Sequence, residues 1–328
     1  MGSRFRALCL GLALAWSVSS SISASPTTSK LLYLVPPGAQ IVAGFENYSD
    51  EHHHGQLILT TRENRLDLAD WQAIAGVDHR RAIDEIVEVA ASSVGGRLHE
   101  HLLLVSGRLD RDTISRSLRL KGATEIEYQH LPVIQVEPFA RERGVMEGVR
   151  WLVILNDRLV FFGTPTLVQS ALSRYLSHAD IDMVLRERLA QLPRNVSSWN
   201  VLSSLPKTPT EYIAPQPSNP WARFFVGADV LMVGVRFGQR IHVHFSLHAA
   251  KDRGSEFFEE KPASFAAVFA PGHTGSSRAP HVGDLEFGPD HVKASVRLSR
   301  SEFDAWSDWT NNFGHSPAVP EPPAATGQ

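Results

Sequence analysis

The sequence predicts an α+β fold, in which antiparallel sheets are built from repeated strand-strand-helix units with helices packed on one face. Short runs rich in β-branched and aromatic residues occur in pairs, separated by polar or glycine-containing turns. Segments with helix-capping residues and an apolar stripe follow these pairs. The chain of 328 residues is 43% hydrophobic and 20% charged, which is typical of a folded globular protein.

The first half of the chain contains three such groups. Asp67 and Asp110 are predicted to cap the first two helices. The third helix has Thr164 at its cap and Pro165 at its first position, where the fixed φ of proline is favourable. The predicted elements are strands 40–46 and 56–62 with helix 67–76, strands 83–92 and 100–108 with helix 110–122, and the strand runs EIEYQ, PVIQVEP, WLVILN and RLVFFG with helix 164–177.

The second half repeats this scheme. One hairpin is predicted to turn at Gly238 and another at Gly288. The last helix starts with a capping box, in which Ser299 and Glu302 bind each other's backbone. Because the order of elements matches that of the first half, two related halves are expected. The predicted elements are strands 230–237 and 240–250, helix 255–270, hairpin 283–298 and helix 299–314.

Changes in composition divide the chain into five segments. The stretch LPKTPTEYIAPQPSNPW is rich in proline and has no apolar periodicity, which is typical of a linker. The C-terminal tail is rich in proline and poor in apolar residues, which is typical of disorder. The predicted segments are a signal peptide 1–24, an N-terminal α+β domain 31–204, the linker 205–221, a C-terminal α+β domain 222–314 and a disordered tail 315–328.

The N-terminus has the pattern of a secretory signal peptide. Two arginines precede an apolar run of about 12 residues, which is too short to span a bilayer, and small residues follow. Cleavage after Ser23 or Ala24 would release the protein into the periplasm or outside the cell. An uncleaved N-terminal anchor is the alternative. No other stretch approaches 18 consecutive apolar residues, so no transmembrane segment is expected in the mature chain.

Several classes of chemistry are excluded by composition and motifs. The only cysteine, Cys9, lies in the signal peptide, so the mature chain has no thiol for disulfides, zinc–thiolate sites or iron–sulfur clusters. The formal net charge is −3 at pH 7, and basic residues are scattered, so no nucleic-acid partner is expected. The motifs GxSxG, HExxH, GxGxxG after a strand and GxxxxGK[ST] are absent.

Histidine is the best chemical lead, because the chain has 15 of them in partly clustered positions. Neutral imidazole binds zinc and copper, and alternate histidines on a strand lie on one side of it. The stretch IHVHFSLH therefore makes His242, His244 and His248 the candidate ligands for zinc or another divalent metal. The further candidates are His52, His53 and His54, His99 and His101, and the carboxylates of Asp50, Glu51 and Glu100.

A plainer interpretation competes with each histidine cluster. His52–His54 fit an exposed hairpin loop, and His99–His101 fit the exposed start of a strand. In IHVHFSLH, alternation places the apolar residues on the core face and the histidines opposite them. A three-residue turn at 238–240 gives the better segregation of polarity, because Val235 then joins Val243 on the apolar face. The histidine face would be partly covered by another element.

Several stretches stand out, among them DLADWQAIAGVDHRRAIDEIVEVAASSVGG, HEHLLLVSGRLDRDTISRSL and RWLVILNDRLVFFGTPTLVQSAL. Through them the sequence resembles a family of exported bacterial proteins of unknown function, over roughly residues 31–205. The resemblance implies bacterial export and an uncharacterised domain. It supplies no catalytic or ligand-binding residues.

Two hypotheses about function follow. The first is a non-enzymatic binding or scaffolding module without a cofactor, which would bind another exported protein through a sheet edge or through the linker 205–221. The second is a metal-dependent enzyme of the hydrolase type, with His242 and His244 as ligands and Glu100 or Asp50 as base or ligand. The second requires at least two histidine clusters to meet at one centre.

Overall fold

The computed structural model describes residues 26–46, 83–92, 98–137, 140–141, 144–145, 148–203, 228–249 and 281–304. The strands are β1 (Ile41–Glu46), β2 (Ile83–Ser92), β3 (Leu98–Gly107), β4 (Thr124–Tyr128), β5 (Leu131–Val136), β6 (Ala140–Arg141), β7 (Gly144–Val145), β8 (Arg150–Leu155), β9 (Leu159–Gly163), β10 (Ser198–Ser203), β11 (Ala228–Arg236), β12 (Ile241–Ala249), β13 (His281–Phe287) and β14 (His291–Leu298). The α-helices are α1 (Arg111–Leu120), α2 (Pro165–Leu176) and α3 (Met183–Leu189), and residues 300–304 begin a further helix.

Twelve of these strands form one antiparallel sheet. Its order is β13-β14-β12-β11-β10-β1-β2-β3-β9-β8-β5-β4, while β6 and β7 pair separately. The predicted α+β class with antiparallel strands is therefore confirmed. The strands on either side of the predicted linker are neighbours, because β10 pairs with β11 along its whole length. The sheet thus continues from one predicted domain into the other. The linker itself, the predicted elements 56–62, 67–76 and 255–270, the signal peptide and the tail lie outside the described residues.

Helices pack on both faces of the sheet, which corrects the prediction of helices on one face. The four consecutive residues Leu102–Val105 of β3 are all buried, so both sides of this strand are covered. Ile114 of α1 packs with Leu103 on what we call the α1 face. Val168 of α2 packs with Leu102 and Leu104 on the opposite α2 face. Two short 3-10 segments near the N-terminus, Pro26–Thr28 and Lys30–Leu34, precede β1, and the second of them adds three buried leucines to the α2-face core.

Local sequence signals place the helix ends. Asp110 accepts a hydrogen bond from the backbone N–H of Thr113 at 3.0 Å, which confirms it as the cap of α1. Ser299 and Glu302 form the predicted capping box, with distances of 2.6 and 3.3 Å. Thr164 stands at the cap of α2, but its hydroxyl donates to the carbonyl oxygen of His101 on β3 instead of capping the helix.

The sheet is joined at its centre by the pairing of β1 with β10. Gly44 of β1 lies opposite Trp199 of β10, and the indole ring occupies the space where a Cβ at Gly44 would stand. Trp199 is only 1% exposed and belongs to the α2-face core. On the α1 face, the buried polar residues Asn200 and Glu88 flank Ala43 and separate two apolar clusters. Within the described residues, no helix has the length and apolarity needed to cross a membrane.

We expect Gly44→Ala to lower the free energy of unfolding by about 2–3 kcal/mol, because the new methyl group would overlap the buried Trp199 ring. Equilibrium urea unfolding measures this change. Gly238→Ala is the matched control, since its added Cβ meets no atom closer than the Arg240 carbonyl oxygen at 3.5 Å. The control should stay within about 0.5 kcal/mol of the wild type. Equal losses for the two variants would contradict the proposed clash.

Candidate functional site

The β11–β12 hairpin places the three candidate histidines on one side of the sheet. Val235 pairs with Val243 and Gly234 pairs with His244, which confirms the register that the three-residue turn predicts. The alternate residues Ile241, Val243, Phe245 and Leu247 are buried on the α1 face, at exposures of 3% or less. His242, His244 and His248 therefore lie on the α2 face, where each side chain is half-buried.

The neighbouring strand β14 determines what each histidine faces. His242 lies opposite Arg297, His244 opposite Ser295, and His248 opposite His291. On the other side of β12, Arg236 is paired with His242. The three histidines thus form a row along β12. Arginine side chains lie beside His242, and the imidazole of His291 lies beside His248.

His248 and His291 form a stacked pair. Their ring centroids are 5.6 Å apart and their planes differ by 28°. Nε2 of His248 is 3.1 Å from the Ser246 hydroxyl. The acids lie on the other side of the pair, where Nδ1 of His291 is 2.9 Å from Asp290 and Nε2 is 3.7 Å from Glu286.

The turn before β14 depends on a glycine. A Cβ at Gly288 would overlap the ring of His291, whose side chain is only 18% exposed. The backbone N–H of Gly288 donates to the His291 carbonyl oxygen at 2.8 Å. The turn therefore fixes the position of the His291 ring against its neighbour on β12.

The surroundings of all three histidines disfavour the protonated imidazole and lower its pKa. Burial holds the pKa of His242 below its ordinary value of 6.5, and the charges of Arg236 and Arg297 lower it further. Burial also lowers the pKa of His244, with smaller contributions from His242 and Arg236, against Asp284, which raises it. At neutral pH these side chains are therefore mainly neutral.

The pKa of His248 is lowered as well. Burial is the largest cause, followed by the neighbouring His291. Lys293 and Arg188 act in the same direction, while the carboxylate of Asp290 acts against them. Arg188 is on α3, so this helix brings a fixed positive charge towards the end of the histidine row.

Arg188 also lines a pocket of about 260 Å³ between α3 and the chain leading into β1. Its guanidinium donates to the hydroxyl of Ser203, the last residue of β10. Gln40 and Asp182 complete the polar lining. Asp182 is engaged as the cap of α3, since it accepts from the backbone N–H of Leu185 at 2.9 Å. The apolar lining comprises Val35, Pro36, Ala39, Val42, Val184 and Leu185.

The other predicted ligands do not join the histidine row. His101 lies on β3 and faces the α1 side, and β3 is five strands away from β12, or about 24 Å. It is also only 3% exposed, so the prediction of an exposed strand start is wrong for this residue. Asp50, Glu51 and His52–His54 lie outside the described residues, and so does the side chain of His99.

Among the residues that the structure describes, no group of three or more histidine, cysteine, aspartate or glutamate side chains is arranged to hold a metal ion. Glu100, the predicted base or ligand, lies on β3 with His101 and far from β12. The hypothesis of a metal-dependent enzyme therefore gains no support from the described part of the chain.

Two residues of the candidate site were not singled out from the sequence. His291 follows Asp290 in the second hairpin, and its signal was its position on a strand that could pair with β12. Arg188 lies on α3, a helix of seven residues that was not predicted. Its sequence signal was Asp182, a capping residue directly before the segment MVLRERL.

Comparison with known proteins gives a fold and no activity. No protein-family model matches the chain, and no curated protein matches it. A solved structure, crystal form I of TP0453, is similar with a TM-score of 0.50 and 14% sequence identity. The similarity covers 87% of this chain and 99% of TP0453. At this identity the two proteins share the fold alone.

The lowered histidine pKa values predict that the protein loses stability as the medium becomes acidic. The unfolded chain binds a proton near pH 6.5, whereas folded His248 resists it, so this stability is present above about pH 6.5 and is lost as pH falls towards the folded pKa. Denaturant unfolding between about pH 7.5 and pH 5 measures the loss.

His248→Asn should reduce the pH dependence, because it removes one of the resisting groups. Ser295→Ala changes a neighbouring side chain of the same face without removing a titrating group, and it should keep the wild-type dependence. An unchanged pH dependence in His248→Asn would show that the His248 imidazole titrates normally in the folded protein.

Proposed function

We propose that the protein is an exported, non-enzymatic binding protein that takes up a small organic acid in the pocket beside α3. The observation that carries this proposal is the position of Arg188. It supplies a positive charge to a pocket that is also lined by apolar and neutral polar side chains and by Asp182. Concave sites with apolar walls and a few polar groups are the usual form of small-molecule sites.

Arg188 gives the pocket a group that could bind an anion. Asp182 is the acid in the lining, and its carboxylate is held by the backbone of α3. Arg188 is held by a neutral partner, the Ser203 hydroxyl, so its positive charge is not neutralised by this contact. A carboxylate, phosphate or sulfonate would therefore gain a charge-assisted hydrogen bond from the guanidinium.

The apolar walls favour a compact hydrocarbon body on the same ligand. A pocket of about 260 Å³ is near the lower end of the range for small-molecule sites, so it suits a ligand of roughly ten non-hydrogen atoms. Such small ligands bind weakly, with Kd values on the order of millimolar.

Benzenesulfonate and benzenesulfonamide are suitable probes, because they share a shape and differ in charge. We expect benzenesulfonate to bind about tenfold more tightly, since it alone can pair as an anion with Arg188. Chemical-shift titration followed at the pocket residues measures both affinities.

Arg188→Gln should remove the preference for the sulfonate. Arg186→Gln is the matched control, because it removes an exposed positive charge from the same helix outside the pocket. Equal binding of the two probes to the wild type, or the same loss in both variants, would refute the assignment of Arg188.

Export is part of the proposal and is supported by the N-terminal sequence, with its two arginines, apolar run and small residues. The resemblance to exported bacterial proteins of unknown function points in the same direction. The first residue of the mature protein, expected at Ala24 or Ser25, tests this proposal, and a chain that keeps residues 1–24 would overturn cleavage.

A protein partner at a sheet edge is a second candidate, supported by two exposed apolar side chains on β13. Leu285 and Phe287 are 40% and 42% exposed, and β13 is an edge among the described strands. The opposite edge, β4, carries Glu125 and Glu127, charged residues that disfavour pairing with another strand. The linker 205–221 is an alternative contact surface.

Replacing Leu285 and Phe287 together with serine should abolish a partner complex at β13 and leave the fold intact. Leu120→Ser is the control, since Leu120 is 84% exposed at the far end of α1. Cross-linking in the exporting cell compares the variants. A complex that survives the double change would exclude this edge as the contact.

We also propose that the fold contains two related halves. In the first, the β2–β3 hairpin is followed by α1, a strand at the sheet edge, and a return to β3. In the second, the β11–β12 hairpin is followed by a strand at the other edge and a return to β12. Half-turn rotation about an axis normal to the sheet should superpose β1–β3 on β10–β12, and a mismatch in register would contradict the duplication.

A further inference from the structure

We propose that the ligand of the pocket beside α3 is a zwitterion, whose cationic group binds Asp182 while its acidic group binds Arg188. The ligand class is a small amino acid with its amino and acidic groups at opposite ends of a hydrocarbon body. This inference rests on the proposed function, because it assumes that Arg188 receives an anion in this pocket. It deepens that function by naming the class of ligand.

The pocket contains two opposite charges from one helix. Asp182 and Arg188 both line it, and α3 begins directly after Asp182 and ends at Leu189. Arg188 follows Asp182 by six positions, which corresponds to about 9 Å along the helix axis at about 1.5 Å per residue. The negative charge thus lies at the start of α3 and the positive charge near its end.

The two charges do not neutralise each other. The Arg188 guanidinium donates to the Ser203 hydroxyl at the end of β10. Oδ1 of Asp182 accepts from the backbone N–H of Leu185 at 2.9 Å. Both side chains belong to the described part of the chain, and no hydrogen bond or ion pair joins one to the other there. Each charge is therefore available to a different end of one ligand.

The Asp182 carboxylate can bind a cation while it caps α3. Its second oxygen, Oδ2, accepts no hydrogen bond from the described residues. An ionised carboxylate has acceptor sites on both oxygens, so the cap leaves one oxygen for an ammonium group. Asp182 is also half-buried, so an ion pair there is less screened by salt than a pair on an open surface. The cation contacts this side chain and not the backbone at the start of the helix.

The apolar lining provides the contact for the body of the ligand. Val42 of β1 and Leu185 of α3 are buried residues of this lining. Because the two charged residues stand at opposite ends of α3, a ligand that reaches both must carry its charges on separate parts of that body. An α-amino acid carries both groups on one carbon, so it should bind more weakly than an amino acid with a longer spacer.

The compounds para-(aminomethyl)benzenesulfonate and para-ethylbenzenesulfonate are suitable probes, because they share a shape and a sulfonate and differ in the ammonium group. We expect the aminomethyl probe to bind the wild-type protein about tenfold more tightly at neutral pH, since it alone can pair with Asp182. Chemical-shift titration followed at the pocket residues measures both affinities.

Asp182→Asn should bind the two probes with equal affinity, because asparagine keeps the cap of α3 and removes the charge. Glu187→Gln is the matched control, since it removes an exposed negative charge from the same helix outside the pocket lining. The control should keep the tenfold preference. Circular dichroism checks that each variant is folded.

The outcomes separate the two proposals. Equal binding of the two probes to the wild type, with the Arg188-dependent preference for benzenesulfonate over benzenesulfonamide intact, would overturn the zwitterion and leave the proposed pocket standing. A preference for the aminomethyl probe that persists in Asp182→Asn, or that is lost equally in Glu187→Gln, would also overturn the role of Asp182. Absence of binding by every sulfonate probe would overturn both proposals.

Discussion

The pairing of β1 with β10 is the constraint on which the rest of the structure depends. It joins β1, near the start of the described chain, to β10 in its middle, and the pairing is possible only because Gly44 leaves room for Trp199. Trp199 in turn fills the α2-face core, where α2 and the N-terminal 3-10 segment also pack. Every strand from β11 to β14 reaches the first half of the protein through this contact, and the histidine row is therefore held in place by it.

Coverage of both faces of the sheet explains the character of the candidate site. The strands at the centre are buried on both sides, and α3 covers the α2 face only in part. The histidines lie at the edge of the region of the sheet that is covered, so their side chains are half-buried. This intermediate position lowers the pKa of His248 and leaves its neighbour Arg188 within electrostatic reach. The pocket lies elsewhere on this face, between α3 and the chain leading into β1.

The charge pattern distinguishes this surface from a metal centre. Alternate residues on a strand point in parallel, so a single strand offers one imidazole to each opposing neighbour. Here those neighbours are Arg297, Ser295 and His291, and positive groups also lie nearby on β11, β14 and α3. Such surroundings disfavour a bound cation.

The sequence by itself determined most of the local structure. Alternation, capping residues and glycine turns were sufficient for the described strands β1 to β5, for α1 and α2, and for the register of the β11–β12 hairpin, because these depend on neighbouring residues. The central strand β10 was missed, since Ser198 and Asn200 interrupt its apolar pattern while being fully enclosed by the sheet. The continuous apolar run Leu102–Val105 already indicated that both faces of the sheet are covered, although the helices were expected on one face only. Only the tertiary structure decided that the His248 ring stacks on that of His291 and lies far from His101, because strand order is a long-range choice that no local spacing encodes.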